Sequence, residues 1–272
     1  MDPRLQRRVQ RYGWDKAAQY YERAWQAPLA PAQARLLALA SLSAGERVVD
    51  VACGTGLVTT AAAEAVGPSG VVVGVDLSET MIDLARAQAR HLPQVRFARM
   101  DAEALELPDA GFDAALCALG LMYVPDAAKA IREMTRVLAP GGRLVAAVWG
   151  ARPRCGWAEL FPIVDAQVQS EVCPLFFALG TAGRLASLCR QAGLVDVFTD
   201  RVETRLPWAS ADEACDAAFA GGPVALAYSR FDEPTREVVR RQYLDSIEPW
   251  RDGDGYAVPG EFVIVSGRTA AT

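Results

Sequence analysis

Asp50, Gly54, Gly56 and Asp76 have the types and spacing to do chemistry. Asp50 lies in the β-branched run Val48-Val49-Asp50-Val51, and the turn Ala52-Cys53-Gly54-Thr55-Gly56 follows it. Glycines at a strand-to-helix turn let the backbone approach a ligand that any Cβ would obstruct. Asp76 stands twenty residues beyond Gly56, at the end of the next apolar run, where a carboxylate can accept both hydroxyls of a ribose. A dinucleotide site would carry a third glycine where Thr59 stands, with a pyrophosphate on the helix N-terminus. Asp50, just before the turn, would repel that pyrophosphate and suits a ligand with an ammonium group. The pattern therefore favours the methionine moiety of S-adenosylmethionine over NAD.

The elements that must hold these residues alternate. The stretch before residue 40 reads as helix, with Trp14, Ala17, Ala18, Tyr21 and Trp25 at helical spacing; Pro28 and Pro31 separate it from a second helix over 32–42. Strands are predicted over 48–51, 71–76, 95–100, 112–119 and 143–149. Helices are predicted over 57–66, 79–90 and 126–138, with Ser78 as an N-cap and Pro140-Gly141-Gly142 as a break. Strands apolar throughout and alternating with helices imply a parallel sheet covered on both faces. Beyond Trp149 the rhythm fails. Residues 151–180 have no clean period, 181–192 read as helix, 195–206 as strand and 209–248 as helix with turns at Gly221-Gly222-Pro223 and Pro234. Residues 261–266 read as a last strand. We take the chain as one domain: N-terminal helices over 1–44, a core over 45–150, and cap insertions at 151–180 and 207–250.

Bulk properties narrow the function. A formal charge of −5 argues against a phosphate-tracking nucleic-acid binder, and the local basic run Arg4, Arg7, Arg8, Arg11 reads as a solvated helix face. The six cysteines form no C-x-x-C pair, so neither a zinc knuckle nor a thioredoxin-like site is expected, and no metal is assigned. Residues 1–12 have no apolar signal-peptide core, and no apolar run is long enough to span a bilayer. The expected setting is cytoplasmic, with reduced thiols.

Four segments resemble the signatures of class I S-adenosylmethionine-dependent methyltransferases, in the group that includes ubiquinone and menaquinone methyltransferases. They are VVDVACGTG (48–56), GVDLSETMIDLAR (74–86), ARMDAEALELPDAGFDAALCALGLMYVPD (98–126) and EMTRVLAPGGRLVAAVW (133–149). The resemblance covers about residues 45–150. It implies a doubly wound, seven-stranded, mostly parallel sheet whose last strand runs antiparallel, with a helical cap. It implies that Gly54 and Gly56 form the turn under the cofactor, that Asp50 organises the methionine amine and that Asp76 binds the ribose. Asp101 would accept from the adenine amino group beside the Ala102 amide, with Leu77 and Met100 as apolar walls. Cys117 and Leu119 would offer carbonyls to the ammonium. Ala52 departs from the family's usual glycine and would displace the methionine carboxylate slightly. Tyr20 and Tyr21 either cover the cofactor, as the N-terminal helix does in relatives, or staple that helix to the sheet.

Methyl transfer from a sulfonium needs alignment and exclusion of water more than it needs activation. His91, the only histidine, falls at a helix end and reads as a surface residue. Asp165, Glu171 and Asp216 are unranked acids or bases in the cap, and Tyr123, just after the fourth strand, is the polar candidate for a catalytic role. The cap aromatics Trp157, Phe161, Phe176, Phe177, Trp208, Phe219 and Tyr228, with Trp149, suit a flat or greasy small molecule. The expectation is O- or C-methylation of a hydrophobic metabolite such as a phenol, quinone, polyketide or lipid, leaving S-adenosylhomocysteine. The alternatives are S-methylation of a thiol or metalloid, or a regulatory relative that holds the cofactor without transfer. A nucleic-acid target is disfavoured, since Gly120-Leu121-Met122-Tyr123 replaces the Asn/Asp-Pro-Pro-aromatic motif. The sequence leaves a homodimer open.

Overall fold

The computed structural model describes residues 3–168 and 176–271. The elements run α1 (Pro3–Ala40), β1 (Arg47–Val51), α2 (Leu57–Val66), β2 (Val71–Asp76), α3 (Glu79–Gln88), β3 (Val95–Arg99), β4 (Phe112–Ala118), α4 (Ala127–Arg136) and β5 (Leu138–Trp149). They continue with α5 (Leu160–Asp165), α6 (Arg184–Gln191), β6 (Val195–Trp208), α7 (Ala211–Cys215), α8 (Ala225–Tyr228), α9 (Glu233–Ile247), β7 (Arg251–Asp252) and β8 (Gly255–Arg268).

The sheet runs in the order β3-β2-β1-β4-β5-β8-β6, and the two-residue β7 adds a hairpin to β8. Strands β1 to β5 are parallel, and β8 runs antiparallel to both β5 and β6. Val48, Val49 and Val51 are fully buried, as expected of a central parallel strand covered on both faces. The chain reverses its direction of progress across the sheet between β1 and β4. In open α/β sheets that switch point leaves a crevice at the carboxyl ends of the strands.

Three local expectations change. The helix does not break at Pro28 and Pro31; α1 runs through both. A buried stripe of Ala17, Ala24, Trp25, Leu29, Ala32, Leu36 and Ala40 packs against the body of the protein. Packing along that stripe outweighs the roughly 3 kcal/mol that an interior proline costs a helix. Pro140-Gly141-Gly142 does not precede the fifth strand but lies inside it. The pairing jumps from Phe112↔Leu138 to Ala114↔Arg143, a bulge in which Gly141 takes φ 75°. Pro234 starts a helix rather than making a turn. It occupies the first turn of α9, where no N–H is needed, after Asp232 caps Thr235 at 3.0 Å.

Candidate functional site

The turn after β1 adopts the backbone its glycines predict. Gly54 has φ 56° and Gly56 has φ 90°, both left-handed. Ala52 shares that region at φ 57°, although an alanine pays a steric cost there. Its methyl has room because residue 120 is glycine: a Cβ on Gly120 would sit 2.3 Å from the Ala52 Cβ. The departure from glycine at 52 is thus matched by a glycine on the facing loop.

Asp76, at the end of β2, ties this turn down. One carboxylate oxygen accepts from the Gly54 amide and the other from the Ser78 amide, each at 2.9 Å. Asp76 also lines the cleft, where its carboxylate can accept from ribose hydroxyls. Burial raises the proton affinity of Asp76, and the amides of Ser78 and Gly54 oppose it. Ser78 also caps α3 through Met81 and donates to Asp15 of α1.

Asp50 is buried, with one oxygen accepting from the Thr59 hydroxyl at 2.6 Å and the other without a partner. The Thr55 hydroxyl is likewise buried and unpartnered. Both line a side pocket of about 300 Å³ with Gln33 of α1. Burial, with the nearby Asp76 carboxylate, pushes Asp50 up to about 7, and the Thr59 hydroxyl opposes the shift. A buried, half-satisfied carboxylate beside an orphaned hydroxyl fits an ammonium and carboxylate pair, so the donor set suits the methionine end of the cofactor.

The side pocket shares Tyr21, Ala52, Gly54 and Ala118 with a cleft of about 1030 Å³ along the ends of β3, β2, β1, β4 and β5. At the β2–β3 end its walls are Asp76, Leu77, Met100, Asp101 and Ala102. Asp101 accepts from the Glu103 amide at 2.9 Å and pairs with Arg7 at 2.8 Å; Arg7 also binds Glu103. At the β4–β5 end the wall is aromatic. Trp149 packs on Trp157 at 4.7 Å and on Trp25 at 6.0 Å, while Tyr123 meets Trp14 at 4.9 Å and Phe176 at 5.4 Å. Among the described residues lining the whole cleft, the titratable side chains are Arg7, Tyr21, Asp76, Asp101 and Tyr123.

The structure brings together Asp50, Ala52, Gly54, Asp76, Leu77, Met100, Asp101, Ala102 and Tyr123. Gly56 stands one step behind the lining, its α-carbon side facing Ala85 and Phe97. Two assignments move. Tyr21, not Tyr20, faces the cleft, because the α1 face that covers it carries residues 7, 10, 14, 21, 25 and 29. Ala118, not Cys117, lines it; Cys117 is buried inside β4, its thiol pushed up to about 12 by desolvation. His91 is exposed and off the cleft, and Asp216 is paired with Arg23 at 2.8 Å. Asp165 ends α5 and does not line the cleft, whereas Glu171 and Cys173 lie outside the described residues. No three His, Cys, Asp or Glu side chains converge as a metal site among the described residues. Sequence reasoning missed Arg7, Gln10, Trp14, Gln33 and Thr55 as site residues; the three- and four-residue steps 7, 10, 14 on α1 were the available signal.

Residues 48–142 match the family model of a methyltransferase domain. The core of this chain is thus similar to a methyltransferase domain. Demethylmenaquinone methyltransferase of Staphylococcus aureus is 42% identical over 101 residues, 37% of this chain and 42% of that protein. The match thus spans less than half the length of that relative. The YcgJ protein of Bacillus subtilis superposes with a TM-score of 0.62 at 18% identity, covering 89% of this chain and 100% of that one. A putative methyltransferase of Bacillus halodurans gives 0.60 at 22%, covering 88% and 98%. At those identities the likeness is one of fold.

Proposed function

We propose that this methyltransferase domain works, in the whole chain, as an S-adenosylmethionine-dependent O- or C-methyltransferase of a small, flat, hydrophobic acceptor. The observation that carries the reading is the polarity of the cleft and its adjoining side pocket. Carboxylates suited to adenosine stand at one end of the cleft, two orphaned polar groups for an amino acid in the side pocket, and tryptophans at the other end of the cleft. The similarity to a quinone methyltransferase is in keeping with such an acceptor.

The cofactor supplies an activated methyl group on sulfur. Asp76 would hold the ribose, Asp50 the ammonium, and Leu77, Met81 and Met100 would give the adenine apolar walls. Helix α1 covers the cleft and excludes water, with Trp14, Tyr21 and Trp25 facing inward. The acceptor end offers no carboxylate, imidazole, amine or thiol among the described lining residues, so an acceptor that ionises readily reacts without a protein base. Tyr123 is the hydroxyl there that can orient it. The segments 151–180 and 207–250 act as the cap, through Trp157 and Phe176 from the first and Gly222 and Pro223 from the second. No helix of the described residues is long and apolar enough to cross a membrane.

Titration calorimetry with S-adenosylmethionine, S-adenosylhomocysteine and NAD tests the reading. Both adenosyl ligands should bind and NAD should not. NAD binding without a response to either adenosyl ligand would overturn it.

A further inference from the structure

The basic run Arg4, Arg7, Arg8 and Arg11, expected to be a solvated helix face, is divided by the fold. Arg7 turns inward, to Asp101 and Glu103 at the wall of the cleft. Arg4, Arg8 and the nearby Lys16 are exposed, and Arg11 is half-buried with its guanidinium 4.7 Å from the centre of the Tyr12 ring. The one acid within residues 4–16, Asp15, accepts from the Ser78 hydroxyl between β2 and α3.

Apolar side chains stand on the same outer face. Six large apolar side chains are exposed among the described residues, and three of them are Leu5, Val9 and Tyr12, at 40%, 38% and 48%. The others, Val71, Val195 and Phe198, lie on β2 and β6. Single exposed hydrophobics are ordinary, but three at steps of four and three on one helix form a stripe. At about 100° per residue, Leu5, Val9, Tyr12 and Lys16 fall within about 60° of one another, with Arg4, Arg8 and Arg11 along one flank. Arg7, Trp14 and Tyr21, which line the cleft, are on the opposite side of the helix. On a chain with a formal charge of −5, this cationic border around an apolar stripe reverses the net surface chemistry locally.

We infer that the outer face of α1 over residues 4–16 is a docking surface for an anionic lipid bilayer. A bilayer matches both parts of the face at once, with headgroup charge for the cations and an acyl boundary for Leu5, Val9 and Tyr12. Tyrosine suits that boundary because its ring is apolar and its hydroxyl stays wet, while arginine and lysine reach the headgroups on apolar stems. A second copy of the chain fits less well, since a two-fold pair would set the cations of one face against those of the other. The inner face of the same helix roofs the cleft, so docking holds the cleft one helix thickness, about 10 Å, from the lipid. A hydrophobic acceptor dissolved in that lipid is then met at the membrane surface.

The test is flotation of the full chain with two kinds of vesicle at low ionic strength. One kind is phosphatidylcholine alone; the other is phosphatidylcholine and phosphatidylserine in equal parts. Wild type should float with the mixed vesicles, much less with phosphatidylcholine alone, and should be released as salt is raised. The double variant Arg8→Gln/Lys16→Gln should bind the mixed vesicles about 25-fold more weakly, a loss of about fivefold for each cation. Leu5→Gln/Tyr12→Gln, which keeps good helix formers and all the cations, should weaken the same binding about tenfold or more. Both variants should keep the wild-type melting temperature and S-adenosylhomocysteine affinity, because the altered side chains face away from the core and the cleft. Binding no better with phosphatidylserine than without it, no binding to either vesicle, or variants that bind as wild type does would overturn the inference. So would a wild-type dimer in sedimentation velocity that either variant dissociates, since a second copy would then cover this face. Flotation needs no cofactor, so a chain that floats as expected yet fails to bind S-adenosylhomocysteine would overturn the methyltransferase reading and leave the docking surface standing.

Discussion

Replacing Asp50 by Asn separates two effects that burial has coupled. The carboxyl is pushed up to about 7 by desolvation, from an ordinary value near 3.8. An unfolded chain has no such shift, so the folded protein binds this proton more tightly than the unfolded one does. The stabilising proton is therefore fully present below about pH 4 and is lost as pH rises to about 7. A shift of about three units corresponds to about 4 kcal/mol, an upper bound for the buried charge at pH 8. Asn removes that charge while keeping a group that can bond the Thr59 hydroxyl. The ligand-free Asp50→Asn protein should therefore unfold at a higher temperature than wild type at pH 8 and show little difference at pH 4.

Ligand binding should move the opposite way. An ammonium needs the ionised carboxylate, so apparent affinity follows the ionised fraction of Asp50 in the ligand-free protein. That fraction rises from roughly 0.1 at pH 6 to roughly 0.75 at pH 7.5, an affinity gain of about eightfold. Calorimetry with S-adenosylhomocysteine, in buffers of different ionisation enthalpy, should also detect nearly one proton released per ligand at pH 6. Asp76 and Tyr21 face the same space, and Asp50→Asn leaves both in place, so whatever slope they cause will persist in the variant. A wild-type affinity flat across this range, or the same slope in Asp50→Asn, would refute the placement of the ammonium beside Asp50.

Other substitutions probe the rest of the site. Asp76→Ala should weaken S-adenosylhomocysteine binding on the order of a hundredfold or more, two charge-assisted bonds being lost, as calorimetry would show. It should also lower the melting temperature, because the Gly54 and Ser78 amides lose their acceptor. Ala52→Gly should raise stability by about 0.5–1 kcal/mol in denaturant unfolding, since glycine takes the left-handed φ of 57° without the alanine's steric cost. His91→Asn should leave steady-state turnover of any identified acceptor within a few-fold of wild type. A catalytic base contributes about 10²–10⁴-fold, so a loss above a hundredfold would return the chemistry to His91.

The legible part of this protein is the part where local chemistry and backbone conformation coincide. Gly54 and Gly56 announce left-handed turns, and the apolar runs around them can only be central strands, so β1, α2 and β2 fall where the pattern puts them. Asp50 and Asp76 were visible because a carboxylate is costly to bury and stands out in or at the end of such an apolar run. Helix α1 was misread for the opposite reason. Pro28 and Pro31 are strong local signals, and the contacts that override them come from residues far along the chain. The same helix carries the site residues that went unseen. Arg7 meets Asp101 and Glu103, and Gln33 reaches the pocket of Asp50, through sequence separations that no local pattern encodes.

The displaced assignments share a cause. Tyr20 and Tyr21 are neighbours on one helix, about 100° apart around its axis, so which of them faces the cleft depends on how α1 is rotated against the sheet. Cys117 and Ala118 alternate across β4, and which of them reaches the cleft depends on where that strand ends. In both cases the sequence locates the element and tertiary packing selects the face.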